Sequence, residues 1–165
     1  LKRVLIPVDG SMRSLEAVRA VLQEGPGEIA RVDLLNVQPQ LNRHISGWIG
    51  KQQRDAWRAD RAEAALQRAA QMVAVAGIAL RTHVAIGPVA TAIAKAAREL
   101  RSHEIVIAAR RRNPLERMVA NCVSARLLEI STIPVRVIPC DDPPALERIA
   151  VPAGLGLIAL LLLTD

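Results

Sequence analysis

Short β-branched runs alternate along the chain with stretches whose apolar residues recur every three or four positions, the respective marks of strands and of one-sided helices. Lys2 to Val8 reads as a first strand closed by Asp9-Gly10-Ser11, and a helix follows with Leu15, Val18 and Leu22 on one face until Gly25-Pro26-Gly27 stops it. Ala30 to Val37 is the second strand. A polar loop from Gln38 to Gly50 leads into a long helix from about Lys51 to Ala76, striped with Ala59, Ala62, Leu66, Ala69, Val73 and Ala76 and ended by Gly77, a residue suited to a left-handed cap. Leu80 to Ile86 forms the third strand, and Gly87-Pro88 turns it into a helix whose predicted buried face is Val89, Ile93, Ala96 and Leu100. Glu104 to Ala109 is an apolar fourth strand, and a last helix carries Val119, Val123, Leu127 and Ile130 on one side. Val135 to Ile138 is the fifth strand, closed by Pro139.

Strands and helices that alternate with short connections call for right-handed crossovers and a parallel sheet. The expected fold is therefore α/β: an open five-stranded parallel sheet with helices on both faces, a three-layer sandwich of the flavodoxin or Rossmann type. Ligands of such sheets bind beyond the carboxyl ends of the strands, where the strand order reverses. Four stretches lie at those ends: Pro7 to Ser11, Val37 to Gln40, Gly87-Pro88 and Ala108 to Pro114.

Composition narrows the picture. A chain of 165 residues, 51% hydrophobic, suits one domain. Phe and Tyr are absent and Trp48 and Trp57 are its aromatics, so Ala, Val, Leu and Ile must build the interior and bring helices close to the sheet. The net charge of +6 comes from arginine, since Lys2, Lys51 and Lys95 are the lysines. These arginines alternate with Asp and Glu on helices and lack interleaved aromatics, so no dedicated nucleic-acid binding is expected. Cys122, Cys140, His44, His83 and His103 have no metal-ligand spacing, and no metal is expected. Strand-like sequence from Leu1 onward gives no sign of a signal peptide, which makes the cytoplasm the expected location.

The strand ends also carry a resemblance. Ile6-Pro7-Val8-Asp9-Gly10-Ser11, Leu35-Asn36-Val37, Ile86-Gly87-Pro88, Ile105-Val106-Ile107, Val123-Ser124 and Ile133-Pro134-Val135 together resemble the universal stress protein family. The resemblance spans residues 1–139 and implies the adenine nucleotide alpha hydrolase-like variant of the fold, a stress-response or regulatory role, and a homodimer paired through Val135, Arg136, Val137 and Ile138. In members that bind ATP, it implies nucleotide contacts at Pro7 and Asp9 and an adenine neighbour at Val37. The phosphates of those members lie against a spaced set of three glycines and a hydroxyl residue. Here those positions are Ala108, Arg111, Asn121 and Cys122. Bare backbone matters in such a cradle because a Cβ obstructs the approach of phosphate to the amides.

Ala108 adds one methyl and Asn121 tolerates left-handed backbone, whereas Arg111 places a long side chain where backbone should lie bare. Arg110, Arg111 and Arg112 read either as a solvated loop or as a clamp that grips phosphate by side chain. No cofactor is expected; ATP is the one candidate. No nucleophile elbow, Walker A pattern or carboxylate pair is present, so no catalytic residue is assigned and an enzyme is not expected. Ser11, Ser14 and Ser124 read as capping or helix-surface serines.

Residues 140–148, with Asp141-Asp142-Pro143-Pro144, read as a linker and 149–165 as an apolar tail too short to span a bilayer, which takes about 20 apolar residues. Something must cover that tail in water. Three functions follow. The first is a non-enzymatic stress-response dimer with weak or lost ATP binding, the second a nucleotide- or anion-binding signalling protein that uses arginine side chains, and the third a module tied by its tail to a protein partner or, less expected, a membrane.

Overall fold

The computed structural model describes residues 1–38, 51–110 and 123–140, with side-chain detail for all of these but 51–58 and Arg110. The loop 39–50, Val119, Arg111, Asn121, Cys122, the linker beyond Cys140 and the tail lie outside the described residues, and Cys140 itself, expected to open the linker, ends the last strand. Among the described residues nine elements follow one another: β1 (Lys2–Pro7), α1 (Met12–Leu22), β2 (Ile29–Gln38), α2 (Lys51–Val75), β3 (Leu80–Ile86), α3 (Val89–Glu99), β4 (Glu104–Arg110), α4 (Val123–Ile130) and β5 (Val135–Cys140). Every adjacent pair in the sheet is parallel, in the order β3-β2-β1-β4-β5. The fold is the α/β sandwich that the alternating pattern predicts.

Pleating divides the core in two. Val4, Ile6, Val32, Leu34 and Val106 point to one face, where α1 and α2 cover them with Val18, Val21, Leu66, Ala69 and Val73. Leu5, Leu35, Ile105 and Ile107 point to the other, against Ile93, Ala94 and Ala97 of α3 and Leu127 of α4. Strands buried on both faces read as continuous apolar runs, which is why β4 was legible.

One helical face is turned from its predicted phase. In α3 the buried residues are Ala90, Ile93, Ala94 and Ala97, while Val89 is exposed and Ala96 and Leu100 are half-buried. Alanine carries a weak hydropathy signal, yet its small size lets α3 sit close to the sheet, so packing sets the rotation. Ala59 of α2 and Val123 of α4, each expected on a buried stripe, are exposed, while Ala62, Leu66, Ala69, Val73 and Leu127 of the same stripes are buried as predicted.

β5 runs through Pro139 to Cys140 instead of stopping before the proline. The Ile105 amide donates to the Pro134 carbonyl at 2.9 Å, and in a parallel ladder this phase turns the Arg136, Ile138 and Cys140 amides toward β4. Position 139 therefore faces outward, where an edge strand loses nothing by lacking an N–H. Gly77 follows α2 with φ +69, the left-handed cap its sequence position predicts.

Candidate functional site

The order of strands places the switch point between β1 and β4. Their pairing is confined to Val4 with Glu104 and Leu5 with Ile105, whereas β1–β2 and β4–β5 stay in register to Pro7–Leu35 and Arg110–Cys140. Beyond Leu5 the two central strands part toward their carboxyl ends, and the gap between them is the crevice where this class of sheet receives a ligand.

The loop after β1 forms one wall. Asp9 is followed by Gly10, whose φ of +83 is a conformation that L side chains rarely adopt. A Cβ at Gly10 would also lie 3.2 Å from Ala65 Cα in α2, so helix and loop approach too closely for a larger residue. Ser11 then caps α1: its hydroxyl accepts from the Ser14 amide at 3.3 Å. Asp9 Oδ1 accepts from both the Ser11 amide (2.9 Å) and the Ser11 hydroxyl (2.6 Å). Partial burial pushes the Asp9 pKa up, but the hydrogen bonds from Ser11 and Ser14 together outweigh it and hold the carboxyl below its ordinary value. Asp9 is thus a fixed, ionised carboxylate at neutral pH.

Two buried amides brace that wall. Asn36 Nδ2 donates to the Val8 carbonyl at 2.7 Å, and Gln38 Nε2 donates to Asn36 Oδ1. The Val8 amide donates to the Leu35 carbonyl at 2.8 Å. Together these bonds tie the strand end that carries Asp9 to β2, and buried polar groups so paired give the site a definite shape. Asn36 and Gln38 are functional supports that hydropathy could not find, because buried amides look like surface residues in a pattern.

The same is true of Asp33. It is fully buried, and its carboxylate oxygens meet Arg31 Nη2 at 2.8 Å and His83 Nε2 at 3.0 Å. This cluster joins β2 to β3 toward the amino ends of the strands, away from the crevice. His83 is therefore a strand histidine with a partner. Among the described residues no group of three His, Cys, Asp or Glu side chains could hold a metal ion.

The model of the universal stress protein family matches residues 1–139. The chain belongs to the universal stress protein family. Similar solved structures include a family member from Burkholderia pseudomallei at 24% identity, covering 84% of this chain and 96% of that one with a TM-score of 0.64. A universal stress protein in complex with cAMP shares 18% identity over 84% and 96% at a TM-score of 0.61. A third, from Arabidopsis thaliana with AMP bound, shares 15% identity over 93% and 99% at 0.63. At these identities the likeness speaks to the fold. A search of curated protein sequences gives no match.

Of the residues assigned by resemblance to the universal stress protein site, Pro7, Asp9, Val37 and Ala108 lie at the carboxyl ends of the adjacent strands β2, β1 and β4. Val37 and Ala108 are half-buried and lean on opposite cores, Val37 with the α3 side and Ala108 with the α1 side. Arg110 ends β4, and Arg111, Asn121 and Cys122 lie outside the described residues.

The edge assigned to dimerisation is β5, and it is an outer strand of the sheet. Val135 and Ile138 are half-buried against the two cores, while Val137 is exposed. Arg136 turns back into its own subunit. It approaches Glu24 at 2.5 Å and Glu104 at 3.0 Å, as charge contacts out of hydrogen-bond line, and Glu24 also accepts from Lys2 at 3.0 Å. Burial raises the Glu24 pKa, but Lys2 and Arg136 together hold it below the ordinary range.

Proposed function

We propose that this universal stress protein is a non-enzymatic stress-response regulator that works as a homodimer, with weak or no ATP binding. One observation carries the proposal: the crevice keeps the Asp9 wall, braced by Ser11, Asn36 and Gln38, while the three glycine positions of the phosphate cradle hold Ala108, Arg111 and Asn121 and its hydroxyl position holds Cys122. A wall alone offers a nucleoside few contacts. The strongest attraction for ATP in such a site is the set of bare backbone amides around the phosphates, and a Cβ there keeps phosphate oxygens out of their reach. The exposed outer edge of β5, with Val137 facing solvent, supports pairing with a second copy.

A second reading is supported by the similar structures that carry AMP and cAMP. In it the crevice binds a nucleotide or another anion through the guanidinium groups of Arg110, Arg111 and Arg112. Calorimetry with ATP and magnesium at physiological salt separates the two. The first predicts no heat at micromolar ATP; a micromolar dissociation constant, weakened by Arg111→Gly, establishes the arginine clamp instead.

A further inference from the structure

Among the described residues no strand pairs with the outer side of β3, the opposite edge of the sheet. The Val32 amide donates to the Ala79 carbonyl at 2.8 Å and the Gly87 amide to the Gln38 carbonyl at 3.0 Å, a phase that turns the N–H and C=O groups of Thr82, Val84 and Ile86 away from β2. Edge strands usually carry charge or bulges that discourage pairing. The first half of β3 has Arg81 and His83, but the second half presents Val84 at 54% and Ile86 at 50% exposure with no charged neighbour in the strand. Ile86 then merges into a groove of about 330 Å³ between this edge and α3, lined by Pro88, Thr91, Ala92 and Ala96 together with the charged pair Lys95 and Glu99.

We propose that this groove and the adjoining half of β3 receive the chain's own apolar tail, Leu155 to Leu163. Three observations on the molecule favour that occupant. Residues 149–164 contain no charged side chain, as suits a groove whose two charged lining residues, Lys95 and Glu99, pair with each other at 3.8 Å and whose other lining is mainly apolar. The tail is also in reach. β5 ends at Cys140 on the carboxyl edge, the same edge on which Ile86 opens the groove, and the four strand spacings between them amount to roughly 19 Å. Residues 141–154 can extend over roughly 46 Å, more than twice that separation. Finally, the two surfaces answer each other's need: an apolar segment that water disfavours, and an apolar groove beside unpaired backbone. The shortest course between them crosses the carboxyl ends of β4, β1 and β2, past Asp9.

The test uses the full chain with Cys122 and Cys140 replaced by alanine. Thr91→Cys paired with Leu160→Cys forms an intramolecular disulfide on mild oxidation, whereas Glu28→Cys with Leu160→Cys, a pair that starts at the amino end of β2, does not. A disulfide found only between two chains, or none, overturns docking within the chain. As a second measurement, Leu160→Asp with Leu162→Asp raises hydrogen exchange of the backbone amides of 84–92 at least tenfold and leaves α1 unchanged. Equal protection of 84–92 in both proteins overturns the proposal even where the disulfide forms.

Discussion

Asp9 and Gly10 set the shape of the crevice by different physics. The carboxylate is held ionised by the bonds it accepts from Ser11 and Ser14, so its folded pKa lies below its unfolded one. Such a group contributes stability above its unfolded pKa, and that contribution fades as pH falls through the depressed folded value. Urea unfolding followed against pH should therefore show the native protein more stable than Asp9→Asn at neutral pH, with the gap closing in acid. A gap independent of pH would mean that the charge of Asp9 contributes nothing. Gly10 acts through space and backbone: a left-handed φ and a Cα only 3.2 Å from where a methyl would stand. Gly10→Ala should cost about 1–3 kcal/mol in the same assay, a range typical of local backbone strain. A shift in midpoint too small to measure would show that α2 yields. The position of Asp9 was legible, because strand ends at a switch point are where parallel sheets bind. Its supports were not. Asn36, Gln38 and Asp33 are buried and paired, and hydropathy reads every such residue as exposed.

Element existence and order were legible because the two periods, strand and helix, are strong here. Phase was less so. The α3 face was expected at Val89, Ile93, Ala96 and Leu100 but closes on Ala90, Ile93, Ala94 and Ala97. In a chain without Phe or Tyr, small residues pack nearest the sheet while carrying the weakest signal in hydropathy. The two phases make opposite forecasts for Val89. Ile93→Ala should cost about 2–5 kcal/mol, as for other fully buried aliphatic truncations. Val89→Ala, at an exposed position, should change stability by less than about 0.5 kcal/mol. Comparable losses at both sites in thermal unfolding would restore the predicted phase. β5 shows a second limit of the pattern: Pro139 reads as a stop, yet an outward-facing position on an edge strand has no ladder bond to lose.

At the scale of the whole molecule, the described residues leave two sheet edges, β3 and β5, and a crevice between β1 and β4, and each has its own expected occupant. β5 is held to the body by Arg136, through Glu24 and Glu104, which leaves its outward backbone and Val137 for a second copy. Among the described residues no helix is long and apolar enough to cross a membrane. The crevice keeps Asp9 and its supports, and the proposed loss of ATP binding rests on Ala108, Arg111 and Asn121 standing in the sequence where the resemblance expects glycine. Native mass spectrometry of gently purified protein reads both central expectations at once. The account predicts twice the subunit mass with no nucleotide adduct, and the subunit mass alone for Val137→Pro. A dimer that carries ATP, AMP or a cyclic nucleotide at full occupancy would contradict it.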